Sequence, residues 1–232
     1  MAITLYDLAA AEEDRRFSPY CWRVKMSLKH KGLEFDSVPW RFTDKEAVAF
    51  SNQGLVPVLV DGGHAVADSW RIAMYLDEAY PQRPGLFDGA EARALCEFFN
   101  AWFATVQAAL FKVVILDIFA RIHDKDRAYF RESREKRFGM TLEAFAGDPK
   151  ASLAAFRGAL TPLRPALVQN KFVSGHGPGY ADYIAFGAFQ WARVISPIRL
   201  LEPDDPIYAW RERMLDLWGG YARQAKGYPV WA

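Results

Sequence analysis

The 232-residue sequence holds only two cysteines, Cys21 and Cys96, each inside an apolar-periodic segment. That is no disulfide framework, and a reducing cytoplasm is the expected location. Charge excess is missing as well: 29 Lys and Arg against 28 Asp and Glu leave a formal net charge of +1. Nothing global draws such a chain to nucleic acid or to an anionic membrane, and no basic block interleaved with aromatics makes up for it. The four histidines, His30, His64, His123 and His176, are scattered without ligand spacing, so no metal site is expected. The opening MAITLYDLAA lacks a basic stretch followed by an apolar one, so no signal peptide is expected. FKVVILDIFA is too short to cross a bilayer and contains Asp117, and no other stretch is expected to span one.

Apolar residues, by contrast, make up 51% of the chain and aromatics 15%, with 17 Phe and 8 Trp. Such aromatics either fill a helical core or line a pocket for flat apolar ligands. Phe111, Phe119, Tyr129, Trp191 and Trp231 are candidate pocket walls, and composition does not separate them from core.

The first third alternates element types. ITLYDL alternates and is rich in β-formers, so it reads as a strand. Ser18-Pro19 then opens a helix with Cys21, Val24 and Leu28 at helical spacing and Gly32 as its stop. EFDSVPW reads as a second strand and DKEAVAFSN as a short helix. VPVLVDGGHAVADS reads as two strands joined by a Gly-Gly turn, and SWRIAMYLDEAY as an amphipathic helix capped by Ser69. The order β-α-β-α-β-β-α is that of a thioredoxin-like α/β domain, expected over residues 1–81. PQRPGLFDG breaks all periodicity, which puts a linker at 82–89. From 90 to 232 strand signals nearly vanish, and an all-α domain is expected.

Several positions in the first domain carry chemistry. Ser18 at a helix N-terminus sits where free N–H groups and the helix dipole favour an anion, and a thiolate there is stabilised. Its hydroxyl adds one donor. Asp68-Ser69, at a strand end and a helix start, suits an amino acid's ammonium and carboxylate. Arg41 and Lys45 flank the short helix, placed to meet a second carboxylate. Val56-Pro57 lies just before a strand. An amino-acid head, a central thiol and a carboxylate tail is the ligand these positions describe.

FSPYCWRVKMSLKHKG, SNQGLVPVLVDGG and ADSWRIAMYLDEAYP resemble the N-terminal domain of glutathione transferases, and FVSGHGPGYADYIAFGAF resembles that family's helical-domain motif. The resemblance covers nearly the whole chain. It implies glutathione as the bound thiol, Ser18 as the thiol-activating residue, and a cis Val56-Pro57 bond whose Val56 backbone pairs with the peptide. It further implies Asp68 and Ser69 as the γ-glutamyl site, Asp182 as a folding element of the helical domain, and a homodimer. Within the family, SPYCWRVKMSLKHKG and DSWRIAMYLDEAYP are most similar to the bacterial lignin β-etherase branch and related fungal transferases. That likeness implies attack of the thiolate on an aromatic electrophile bearing an aryloxy group. The alternative is a ligandin-like protein that holds hydrophobic aromatics without chemistry.

Two departures stand out. Gly179 occupies the position where the family has a Ser or Thr cap, and the loop AAAEEDRRFS before Ser18 is long and charged. Cys21, three residues after Ser18, has the spacing of a redox pair lacking its first member, but one turn into the helix it is expected to be buried. The runs RESREKR and RERMLDLW read as solvated helix faces. SGHGPG lacks the lysine and the strand of a phosphate loop and reads as a plain loop.

Overall fold

The computed structural model describes residues 3–229, so the candidate wall Trp231 lies outside the described residues. The N-terminal part runs β1 (Ile3–Leu8), α1 (Pro19–His30), β2 (Phe35–Trp40), a 3-10 helix (Lys45–Ser51), β3 (Val58–Asp61), β4 (His64–Ala67) and α2 (Ser69–Ala79). The four strands form one sheet in the order β2-β1-β3-β4, with β1 parallel to β2 and the other neighbours antiparallel. This is the thioredoxin-like α/β arrangement. Behind it stand α3 (Gly89–Arg121), α4 (Asp124–Phe138), α5 (Leu142–Ala146), α6 (Pro149–Ala159), α7 (Leu163–Gln169), α8 (Tyr180–Ile195) and α9 (Pro206–Gln224).

Alternation along β1 buries Ile3 and Leu5 and also Asp7, whose carboxylate pairs with Lys25 of α1 at 2.8 Å. The Lys25 ammonium lies 3.6 Å from the Trp22 ring centre, so an aromatic face completes its surroundings. Cys21 is fully buried beside this pair, its thiol directed at the Tyr6 carbonyl at 3.9 Å. Burial pushes the Cys21 thiol well above its ordinary value, and burial pushes that of Cys96 up to about 12. Burial disfavours the thiolate, the nucleophilic form, at both positions.

α8 is the helix that joins the two halves. It is buried along nearly its whole length and packs on α1. At Gly187 a Cβ would collide with the Pro19 carbonyl, so only glycine permits this approach. The α8 N-terminus is organised by Asp182, which is fully buried. Its carboxylate accepts from Val173 N at 2.7 Å, Ser174 N at 3.0 Å, Gly179 N at 3.1 Å and Trp210 Nε1 at 2.8 Å. Glycine at 179 has a steric reason: a Cβ there would lie 2.6 Å from the Ser174 hydroxyl oxygen.

Four sequence expectations need correction. Asp68, not Ser69, caps α2: its Oδ1 accepts from Trp70 N at 3.0 Å and Arg71 N at 3.1 Å. The α9 segment is interrupted at Leu217–Gly220, where Trp218, Gly219 and Gly220 take positive φ; the Gly-Gly pair ends the helical path that periodicity alone had continued. RESREKR is only partly solvated, because Arg134 is largely buried over the Phe42 and Phe130 rings, at 5.0 and 4.6 Å. Finally, α3 is long and apolar enough by length and composition to cross a bilayer. FKVVILDIFA is only its C-terminal third; Ala- and Phe-rich turns extend the apolar stretch upstream. In the fold α3 packs on α5, α6 and α8 and buries Phe103, Val106, Leu110, Val114, Ile115 and Ile118, as a core helix does.

Asp182→Ala leaves four donors unpaired, two of them in buried bonds, and is expected to destabilise the protein by about 3–5 kcal/mol; a loss below about 1 kcal/mol in chemical denaturation contradicts that role. Both cysteines should resist an aromatic disulfide reagent in the native protein and react on unfolding. Rapid native labelling of Cys21 restores the redox reading.

Candidate functional site

Strand directions gather four connections at one end of the sheet. Tyr6 of β1 stands opposite Val58 of β3, and Val58 opposite Ala67 of β4. The ends of β1, β2 and β4 and the start of β3 therefore share an edge. Ser18 returns to it because Phe17 N bonds to the Leu8 carbonyl at 3.1 Å. Arg41–Lys45 leaves β2 there, Val56-Pro57 enters β3 there, and Asp68-Ser69 leaves β4 there.

Ser18 caps α1 with extended backbone angles, and Pro19 occupies the first turn. Its Oγ accepts from Cys21 N at 3.1 Å, and an oxygen acting as acceptor keeps its own hydrogen for another partner. No acidic side chain lies in the first turn of α1, so nothing there offsets the positive helix end. The residue is only 3% exposed, which strengthens a hydrogen bond or dipole acting on a charge at this point.

The Val56-Pro57 bond is cis. Among the described residues, no hydrogen bond of the chain uses the Val56 N–H or C=O. Both groups are thus free to pair as a strand edge pairs. Asp68 holds a positive φ of 79°, unusual outside glycine, and spends one carboxylate oxygen on the α2 cap. Ser69 is buried, and its carbonyl accepts from the Tyr180 hydroxyl of α8 at 2.7 Å. Lys45 reaches back to the Gly54 carbonyl at 3.3 Å, two residues from Val56. Arg41 goes elsewhere: its guanidinium lies 3.4 Å from the Ala11 carbonyl and 3.6 Å from Glu13, bracing the charged loop before Ser18. The structure thus brings Ser18, Lys45, Val56, Pro57, Asp68 and Ser69 to one edge and turns the Arg41 side chain away.

The candidate aromatic walls divide. Trp191 and Phe111 pack together at 5.6 Å, with Phe138 and Phe145 around Phe111, so they belong to the helical core. Tyr129 faces the Lys45 ammonium at 5.0 Å, and Phe119 lies under the Arg131 guanidinium at 4.5 Å.

Sequence reasoning missed two residues close to this edge. Arg23, one turn beyond Ser18, is a buried guanidinium held by Asn100 at 2.9 Å and Gln107 at 3.1 Å, both from α3. Burial lowers its pKa from the ordinary arginine value. The available signal was a charge inside an apolar helix. Asp126 of α4 is fully buried against the loop after β2; in the sequence it is one more acid in a charged helix start, and nothing marks it.

Two family profiles cover most of the chain: glutathione S-transferase N-terminal domain over residues 14–84, and glutathione S-transferase C-terminal domain over 94–202. Glutathione S-transferase 1 of Dianthus caryophyllus is 39% identical over 83 residues, 34% of this chain and 38% of the relative. The chain's match thus spans little more than a third of that relative's length. A glutathione transferase of Phanerochaete chrysosporium is similar in structure with a TM-score of 0.76 at 25% identity, covering 97% of this chain and 95% of its own. A Ceriporiopsis subvermispora glutathione S-transferase solved in complex with glutathione has a TM-score of 0.79 at 22% identity and 99% coverage of both chains. With both of its domains present in order, the chain belongs to the glutathione S-transferase family.

Proposed function

We propose that the protein is a glutathione transferase in which Ser18 stabilises the glutathione thiolate for attack on apolar aromatic electrophiles, aryl ethers among them. The observation that carries this reading is the buried Ser18 hydroxyl at the α1 N-terminus, its oxygen accepting from Cys21 N and no acidic side chain in the first turn beside it. The Val56 backbone pairs with the cysteinyl residue of glutathione. Asp68 and Ser69 hold the γ-glutamyl head, Asp68 with the carboxylate oxygen left over from the α2 cap. Lys45 meets the glycyl carboxylate. Arg41 acts only indirectly, by bracing the loop in front of Ser18.

The thiol proton goes to solvent as the sulfur settles against the Ser18 hydroxyl and the helix end. With an aryl ether, a C–S bond forms as the C–O bond breaks, and the departing phenolate takes a proton from water. The protein's work is to ionise the nucleophile and to position the electrophile over an apolar floor. Association as a homodimer fits the exposed apolar side chains of α3, where Leu95 is 71% and Phe98 74% exposed.

Ser18→Ala is expected to lower turnover of aryl electrophiles by about 10–100-fold, the scale of one lost hydrogen bond to a charged group, while glutathione still binds. Unchanged turnover removes Ser18 from the mechanism. Saturable binding of flat phenols by the wild type, with no glutathione adduct formed, supports the ligandin-like alternative. Light scattering should report about twice the 26.4 kDa chain mass; Phe98→Lys should shift that value toward the monomer.

A further inference from the structure

The loop that delivers Lys45 has little core of its own, and the helical domain holds it. Asp126, in the first turn of α4, is 0% exposed. Its Oδ2 accepts from Phe42 N at 3.2 Å, and its Oδ1 accepts from Thr43 N at 3.0 Å and from the Thr43 hydroxyl at 2.7 Å. One carboxylate thus satisfies two successive backbone donors and a side chain across the domain boundary. Around it, the Phe42 ring packs on Phe130 of α4 at 5.5 Å. Asp44 pairs with Lys125 and accepts from Arg41 N at 3.2 Å. Lys45 follows directly as the first residue of the 3-10 helix.

Tyr129 stands three residues after Asp126, on the same side of α4, and its ring lies 5.0 Å from the Lys45 ammonium. One helix face therefore fixes the backbone before Lys45 and also bounds its side chain. We propose that Asp126 is a positioning residue for the carboxylate-tail subsite, so that the helical domain sets the preference for glutathione over the same thiol without its glycine. The proposal rests on the assignment of Lys45 to the glycyl carboxylate. Asp126 touches no ligand. It acts by holding Phe42 and Thr43, and a loop released from it spreads Lys45 over many positions, which lowers the fraction able to meet the carboxylate.

The test compares glutathione with γ-glutamylcysteine as thiol substrate for one aryl electrophile. Wild type should prefer glutathione by about tenfold or more in kcat/KM, the scale of one charge-assisted hydrogen bond, and Lys45→Ala should abolish most of that preference. Asp126→Asn keeps the volume but places an amide donor against backbone donors. It should raise KM for glutathione several-fold, move that for γ-glutamylcysteine far less, and affect kcat less than KM. Thr43→Val removes only the hydroxyl bond and should shift the preference in the same direction by a smaller amount; if Asp126→Asn does not fold, this variant carries the test. Equal losses for both thiols make Asp126 merely structural and overturn the proposal. A preference kept in full by Asp126→Asn and Thr43→Val, yet lost in Lys45→Ala, overturns it while sparing the Lys45 assignment. A wild type without preference overturns both.

Discussion

The close packing of α8 on α1 is the constraint on which the site depends. At Gly187 the two helices approach until the Pro19 carbonyl excludes any side chain. That contact lies one residue from Ser18, so α1 is gripped at its N-terminal end. On its other side the helix is tied to β1 by the buried Asp7–Lys25 pair. A helix N-terminus favours an anion only where its donors point, and the effect fades within the first turn. Holding that turn still is what makes its electrostatics useful for chemistry.

The helical domain also holds the edge of the sheet from behind. α8 backs α1, its Tyr180 hydroxyl reaches the Ser69 carbonyl, and Asp126 of α4 ties down the loop before Lys45. Arg23 links α1 to α3 through two neutral amides. These links run from the C-terminal half to the edge where Ser18, Val56, Lys45 and Asp68 meet. A thioredoxin-like sheet brings those connections together; the helices decide how firmly each is held.

Local signals carried much of this in the sequence. Ser-Pro marked the start of α1, the Gly-Gly turn marked the hairpin, and the prolines and glycines after Ala79 marked the break before α3. Such punctuation depends on backbone angles, which short motifs specify. Long-range effects were not legible. Ser69 looked like the α2 cap because cap preference scarcely separates Asp from Ser, and only the backbone angle at Asp68 decides. Asp126 looks like an ordinary surface charge until the loop after β2 packs against it, and Arg23, a charge inside an apolar helix, finds its partners only in α3. For Phe111 and Trp191 composition left pocket wall and core equally open, and neighbours from other helices place them in core. The same distance in sequence hides the turn of Arg41 toward Glu13.

The role proposed for Ser18 makes ionisation of bound glutathione the property to measure. An ultraviolet difference titration follows thiolate absorbance across pH for glutathione with the wild type and with Ser18→Ala. The bound thiol should ionise well below the ordinary thiol value of about 8.5, with the shift reduced in the variant. Binding without ionisation, or an equal shift in both proteins, contradicts the assignment of Ser18 as the group that stabilises the thiolate.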